Sequence, residues 1–234
     1  MFRLVQIAPA GESEPGQPRL QAMARNSPER QLRRIRKQYD RNADRYDTFM
    51  DGPISGPLFR RGRRGVGEAA RGRVLEVGIG TGLSLANYRP EVALTGIDLS
   101  PEMLRRARRR AGDLGRSVDL IVMDAQRLGF PDSSFDTVAF TLCLCTIPDP
   151  RVAIGEALRV VRPGGSLILL EHVRSHLWPL ALVQDLINPL TVRFQSDHFN
   201  RRTETIAREC GIEIISVERW AVGFANLIVG RRPA

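Results

Sequence analysis

Apolar residues fall in short runs separated by turn signals along most of the chain, and these runs set the expected elements. Strands are expected at Arg73 to Val77, Ala93 to Ile97, Val118 to Val122, Thr137 to about Leu142, and Ser166 to His172. Helical patterns alternate with them. One follows Thr81-Gly82 and ends near Tyr88-Arg89-Pro90. Another starts at Ser100-Pro101-Glu102, with serine at the cap and proline in the first turn, and a third covers about Arg151 to Val161. Upstream, amphipathic stretches predict helices at Pro28 to Asp40, Asp40 to Met50 and Leu58 to Ala70. Near the end, Glu213 to Trp220 and Ala225 to Gly230 flank a short turn with Gly223 and read as an antiparallel hairpin at a sheet edge. Strands alternating with helices predict a doubly wound α/β domain, and no internal repeat is present.

The densest chemistry lies where the first strand ends. Val74-Leu75-Glu76-Val77 runs into Gly78-Ile79-Gly80-Thr81-Gly82, and the second strand ends in Asp98, twenty residues after Gly78. Glycines let backbone approach a ligand where a Cβ would clash. An acid at the end of the next strand can accept hydrogen bonds from a ribose diol. A dinucleotide fingerprint would place its third glycine at Leu83. The observed spacing suits S-adenosylmethionine better. That molecule carries no phosphate but has a zwitterionic tail and a sulfonium, and Glu76 offers a carboxylate at that end. Met123-Asp124-Ala125 ends the third strand, where Asp124 can bond an adenine amino group and the Ala125 N–H a ring nitrogen.

Phe130-Pro131-Asp132-Ser133-Ser134-Phe135-Asp136 and Arg162-Pro163-Gly164-Gly165 complete an ordered series. From about Arg36 to Gly230 the chain resembles the class I S-adenosylmethionine-dependent methyltransferases. The resemblance implies a Rossmann-like, mostly parallel sheet of seven strands in the order 3-2-1-4-5-7-6, with strand 7 antiparallel and helices on both faces. It also implies a cofactor lying over Tyr39, Tyr46, Glu76, Gly78, Gly80, Thr81, Gly82, Asp98, Leu99, Met103, Asp124, Ala125, Thr141 and Leu142, with no metal. Cys145 stands where many members have a pocket histidine.

Two departures from the bare fold should carry acceptor specificity. Tyr39-Asp40 and Tyr46-Asp47 resemble a segment of the quinone-biosynthesis C-methyltransferases that caps the cofactor, so residues 31–70 are expected to form a helical lid. The same tyrosines could equally pack a helix onto the sheet. The insertion 174–202 resembles phospholipid N-methyltransferase-like proteins and the related thiol methyltransferases, with Asp197 at a cysteine position of those relatives. Its apolar stretch from Trp178 to Phe194 is expected to wall a pocket for a lipophilic acceptor: a quinone, a phenolic product, a phospholipid head group or a thiol. Methyl transfer from a sulfonium needs alignment above all. His172 and His198 are the candidates for a general base where the acceptor atom requires one.

Composition narrows the picture further. The 234 residues suit one domain with a sizeable core. Residues 1–30 are rich in Pro, Gly, Ser and charge and are expected to be a disordered extension, with the methyltransferase domain at 31–234. They lack a signal-peptide core, which predicts a cytoplasmic protein. Net charge is +9, almost all of it from arginine, with Lys37 the only lysine. The run Arg105 to Arg110 reads as a solvated helix face. It is compatible with peripheral contact at the inner membrane face, and no nucleic-acid motif accompanies it. A homodimer is compatible with the same sequence. Cys143, Cys145 and Cys210 have no metal-site spacing and read as reduced wall or core thiols. The competing functions are an NAD-dependent oxidoreductase and a non-catalytic S-adenosylmethionine-binding protein.

Overall fold

The computed structural model describes residues 27–234. Most of the expected extension 1–30 therefore lies outside the described residues, and residues 28–30 already belong to the first helix. That helix, α1 (Pro28–Met50), is followed by α2 (Ser55–Ala69), β1 (Arg73–Val77), β2 (Ala93–Asp98), α3 (Pro101–Asp113), β3 (Asp119–Val122) and β4 (Phe135–Thr141). Then come α4 (Pro150–Val160), β5 (Val161–His172), α5 (Trp178–Gln195), α6 (Thr203–Glu209), β6 (Glu213–Trp220) and β7 (Ala225–Arg231). One seven-stranded sheet has the order β3-β2-β1-β4-β5-β7-β6, with β7 antiparallel to both its neighbours. This is the expected topology.

The parallel registers bring the functional strand ends into line. Val77 pairs with Ile97 and Phe140, Asp98 with Val122, and Thr141 with Leu170. The turns after β1, β2, β3 and β4 thus open on one edge, where α/β sheets bind ligands. Alternation along each strand sends Leu75, Val77, Val138, Phe140 and Leu169 to a core shared with Ile154 and Val160 of α4. Val74, Ala139, Ile168 and Leu170 face the other way, against Val66 of α2 and Leu104 of α3. Glu76 shares the parity of Val74 and so points toward α2.

Three local expectations change. The stretch from Pro28 to Met50 is one helix, because no glycine or proline interrupts it. Asp40, at the expected boundary, instead turns outward to accept from the Ser100 hydroxyl at 2.6 Å, at the start of α3. The helix expected after Gly82 is a single 3-10 turn, Leu85–Asn87. Helix α2 occupies its space: a Cβ on Gly67 would lie 2.1 Å from the Asn87 carbonyl oxygen. Finally, β5 begins at Val161, so Arg162-Pro163-Gly164-Gly165 is absorbed into the strand.

Candidate active site

A cleft of about 680 Å³ opens over the carboxyl ends of β1 to β4. It brings together Tyr39, Tyr46, Gly78, Gly80, Asp98, Leu99, Met103, Asp124, Ala125 and Leu142 of the expected cofactor residues. Gly78 and Gly80 have φ of +69° and +58°, the left-handed region that favours glycine. A Cβ on Gly78 would lie 2.4 Å from that of Cys143, whereas one on Gly80 would meet nothing closer than 4.0 Å and point toward Tyr46. Gly82 departs from expectation. It lines neither this cleft nor the pocket beside it, and its missing Cβ makes room for Leu85 and Ala107. Its role is helix packing.

Asp98 ends β2 with one carboxylate oxygen accepting from the Gly80 N–H at 3.0 Å and the other from Ser100 N at 2.8 Å. Burial pushes its pKa up to about 6, against the pull of those two N–H groups. Asp124 accepts from the backbone and side chain of Gln126 at 3.0 and 3.2 Å, which fixes the turn carrying Ala125.

An adjoining pocket of about 280 Å³ holds Glu76, Thr81, Thr141 and Arg63. Both Glu76 oxygens are buried and have no hydrogen-bond partner among the described residues. Burial raises its pKa to about 7, and the nearby hydroxyls of Ser84, Thr141 and Tyr88 only partly offset this. Arg63 on α2 is 3% exposed and lies 3.2 Å from Asp51. A buried cation and an unpartnered buried carboxylate side by side suit a zwitterion, and a pyrophosphate would be repelled by Glu76. The sequence reading missed Arg63, which looks like one more member of a basic run from Arg60 to Arg64. Its only local signal is the glycine beside it, Gly62, which lets α2 sit tight on the sheet. The Thr81 hydroxyl is already engaged by Asp47 at 2.5 Å.

A third cavity, open to solvent, touches the cleft at Tyr39, Tyr46 and Leu142. Its walls are largely apolar and aromatic: Phe49, Met50, Leu58, Phe59, Phe199 and Phe224. Arg45 stands exposed among its lining residues. The expected wall from α5 is not there. Trp178, Leu182 and Leu186 line none of this cavity and face outward. The walls come from α1, α2, the segment after α5, the ends of β4 and β5, and the turn before β7.

His172, at the end of β5, lines the same cavity and packs against Phe199 at 4.8 Å and Phe224 at 5.5 Å between ring centroids. Its Nε2 is 3.2 Å from Asp197 Oδ1, and its Nδ1 has no hydrogen-bond partner among the described residues. Burial opposes the imidazolium, but the Asp197 carboxylate outweighs it and the pKa ends above the ordinary histidine value. Asp197, noted in the sequence only as a departure, is therefore part of the site. His198 is not: it lines neither cavity, its N–H donates to the Cys145 carbonyl at 3.1 Å, and burial and Arg201 lower its pKa. Cys145, His172 and Asp197 present ligand atoms within 4.8 Å of one another. The half-buried Arg201 guanidinium stands close enough to disfavour charge on His172, and it would oppose a metal cation in the same way. Glu171, also missed, is wholly buried and accepts from the N–H groups of Cys143 and Leu144 at 2.9 and 2.8 Å, which pins the turn after β4.

Comparison with known proteins agrees with this architecture. A family described as "Methyltransferase domain" matches residues 75–169. A phosphatidylethanolamine N-methyltransferase of Cereibacter sphaeroides is 38% identical over 175 residues, covering 73% of this chain and 83% of its own. A demethylmenaquinone methyltransferase of Renibacterium salmoninarum is 34% identical, covering 69% and 68%. Among solved structures, an S-adenosylmethionine-dependent methyltransferase from Thermotoga maritima superposes with a TM-score of 0.64 at 21% identity, over 85% of this chain and 99% of that one. The cyclase SpnF superposes with a TM-score of 0.61 at 21% identity, over 77% and 82%, so the fold alone does not dictate the reaction. Neither an oxidoreductase nor a non-catalytic role gains support from these relatives. Fold and sequence relatives together place this chain among the S-adenosylmethionine-dependent methyltransferases, to which it belongs.

Proposed function

We propose that this enzyme methylates the head-group amine of a phospholipid. The observation that carries the reading is the apolar, aromatic cavity that meets the cofactor cleft at Tyr39, Tyr46 and Leu142. Acyl chains suit its walls, and burying them contributes roughly 25 cal/mol per Å² of apolar surface. Arg45 suits a phosphate, while Asp197 and the aromatic rings suit an ammonium. Its phosphatidylethanolamine N-methyltransferase relative supports the same acceptor.

In this reading Asp98 would hold the ribose diol, Asp124 and the Ala125 N–H the adenine, and Leu99 and Met103 would supply apolar contact. Gly78 and Gly80 would leave room for the methionine end. Glu76 would take the ammonium of the tail and Arg63 its carboxylate. Tyr39 and Tyr46, on α1, would shield the transferred methyl from water. Bound S-adenosylmethionine supplies an already activated methyl electrophile, so alignment dominates catalysis. The chain must still manage one proton. An amine arrives as an ammonium ion, and its lone pair becomes nucleophilic only after that proton leaves. His172 accepts it, Asp197 stabilises the resulting imidazolium, and one proton is released for each methyl transferred.

A second reading, methylation of a demethylated quinol, is favoured by the aromatic lining and by the demethylmenaquinone methyltransferase relatives. Incubation with methyl-labelled S-adenosylmethionine and mixed micelles of each acceptor, read by mass spectrometry, separates them. Methylated phosphatidylethanolamine, up to the fully methylated amine, is the expected product. Methylation of the quinol alone would establish the second reading, and methylation of neither would refute both.

A further inference from the structure

Helix α5 is built inside out. Its polar side chains face the protein: Gln184, 3% exposed, donates to the carbonyls of Val173 and Phe199 at 2.9 and 2.8 Å and accepts from Ser175 N at 2.7 Å. Asp185, one residue on, holds Arg174 at 2.9 Å and Asn200 at 3.1 Å. The opposite face carries Trp178, Leu182, Val183, Leu186, Ile187 and Leu190, all exposed, with Trp178 at 77% and Leu186 at 69%. Their spacing of four, one, three, one and three residues places them on a single side of the helix. An ordinary surface helix of a soluble domain has the reverse polarity, and monomers rarely expose a continuous apolar stripe of this size.

We infer that this face docks on an anionic lipid bilayer, with α5 lying in the interface beside the acceptor cavity. Three observations commit the stripe to lipid. The chain carries a net charge of +9, complementary to an anionic surface. A tryptophan opens the helix, and its amphipathic indole suits the head-group level. The helix is also continuous with the cavity: Ser196, at its C-terminal end, lies 3.3 Å from Gln38 of α1, and Asp197 and Phe199 just beyond it line the cavity. Phe49 and Ile54 line the same cavity and stand exposed, Ile54 at 85%. No helix among the described residues is long and apolar enough to cross a membrane. Gln184 and Asp185 tie α5 along the domain, so it would lie in the surface. The inference rests on the lipid-acceptor reading for its purpose, but docking can be measured without turnover.

The test is co-sedimentation of the full chain with vesicles of phosphatidylcholine alone or mixed with phosphatidylglycerol, with no cofactor present. The wild type is expected to partition at least roughly tenfold more onto the anionic vesicles, and added salt should weaken this. Brominated lipid should quench Trp178 in a Trp220→Phe background. The pair Leu182→Asp and Leu186→Asp should lose about tenfold or more in partition yet bind S-adenosylmethionine normally by calorimetry, which reports an intact fold. Ile215→Asp, at an exposed apolar position on β6, should change nothing. No partition by the wild type, or equal partition by the double variant, would overturn the inference. So would a stable dimer that Leu186→Asp separates, or vesicle binding that appears only once residues 1–26 are removed. The first would assign the stripe to a second copy and the other to the chain's own N-terminal segment. Failed docking with phosphatidylethanolamine still methylated in detergent would leave the acceptor reading standing.

Discussion

At the residue scale the site is a set of buried charges waiting for complements. Asp98 bridges the Gly80 and Ser100 N–H groups, and among the described residues Glu76 has only the nearby hydroxyls of Ser84, Thr141 and Tyr88 against its burial. Replacing Asp98 with Ala removes the charged acceptor proposed for the ribose. A hydrogen bond to a charged group contributes roughly 1.5–3 kcal/mol, so cofactor affinity should fall about tenfold or more by calorimetry. The same two carboxyls set a pH dependence. Their folded pKa values, about 7 for Glu76 and about 6 for Asp98, lie above the unfolded values of about 4. Between those limits the folded apoprotein holds protons that the unfolded chain has lost, so its stability falls as pH rises from about 4 to about 7. Cofactor binding needs both groups ionised and should strengthen over the upper part of that window, with proton release. The thermal shift produced by S-adenosylmethionine should therefore be larger at pH 8 than at pH 5.5, and Glu76→Gln should flatten the difference. His172 adds a dependence in the same direction. The free imidazole is the base, so kcat should rise with pH through a value above the ordinary histidine range. Asp197→Asn should move that limb to lower pH and reduce kcat more than it changes KM. The glycine turn, Asp98 and Asp124-Ala125 were legible in the sequence because strand-end chemistry is local. Arg63 and the His172–Asp197 pair were not, since each acquires its meaning from residues that only the folded sheet brings near.

At the element scale α1 is the part most exposed to test. It covers the cleft with Tyr39 and Tyr46 and is clamped to α3 by Asp40 on Ser100, Asp44 on Arg106 and Asp47 on Arg110, the last at 2.7 Å. Two of the arginines that read as a solvated face thus hold a helix in place. Both partners of the Asp47–Arg110 pair are about one-third exposed. Its coupling should be correspondingly small, at most about 1 kcal/mol in a double-mutant cycle. Removing residues 1–26 should leave activity intact, whereas removing residues 1–50 should abolish it together with tight cofactor binding. Activity that survives the longer deletion would refute the cover. For α5 the apolar composition was evident in the sequence but its direction was not. Hydrophobicity records which side chains avoid water, and a wall, a core and an outward stripe look alike until the buried Gln184 fixes the rotation of the helix.

At the scale of the whole molecule, the sheet order and the line of strand ends could be read in advance, because alternating runs and turn residues determine them jointly. The division into two chambers could not, since α1, α2 and the segment after α5 meet only in three dimensions. Among the described residues the two chambers share Tyr39, Tyr46 and Leu142, and Leu142 holds a strained φ of +55° at that boundary. Partition by three side chains bears on how successive turnovers are counted. If the acceptor is the lipid proposed above, a nucleoside product can be exchanged from one chamber while the lipid stays seated in the other. Methylation of one amine should then proceed processively: fully methylated lipid should appear early, while the singly methylated species stays scarce even with excess starting lipid. Leu142→Gly would release the backbone strain and loosen the partition. It is expected to convert the time course into a distributive one, in which each intermediate accumulates before the next declines.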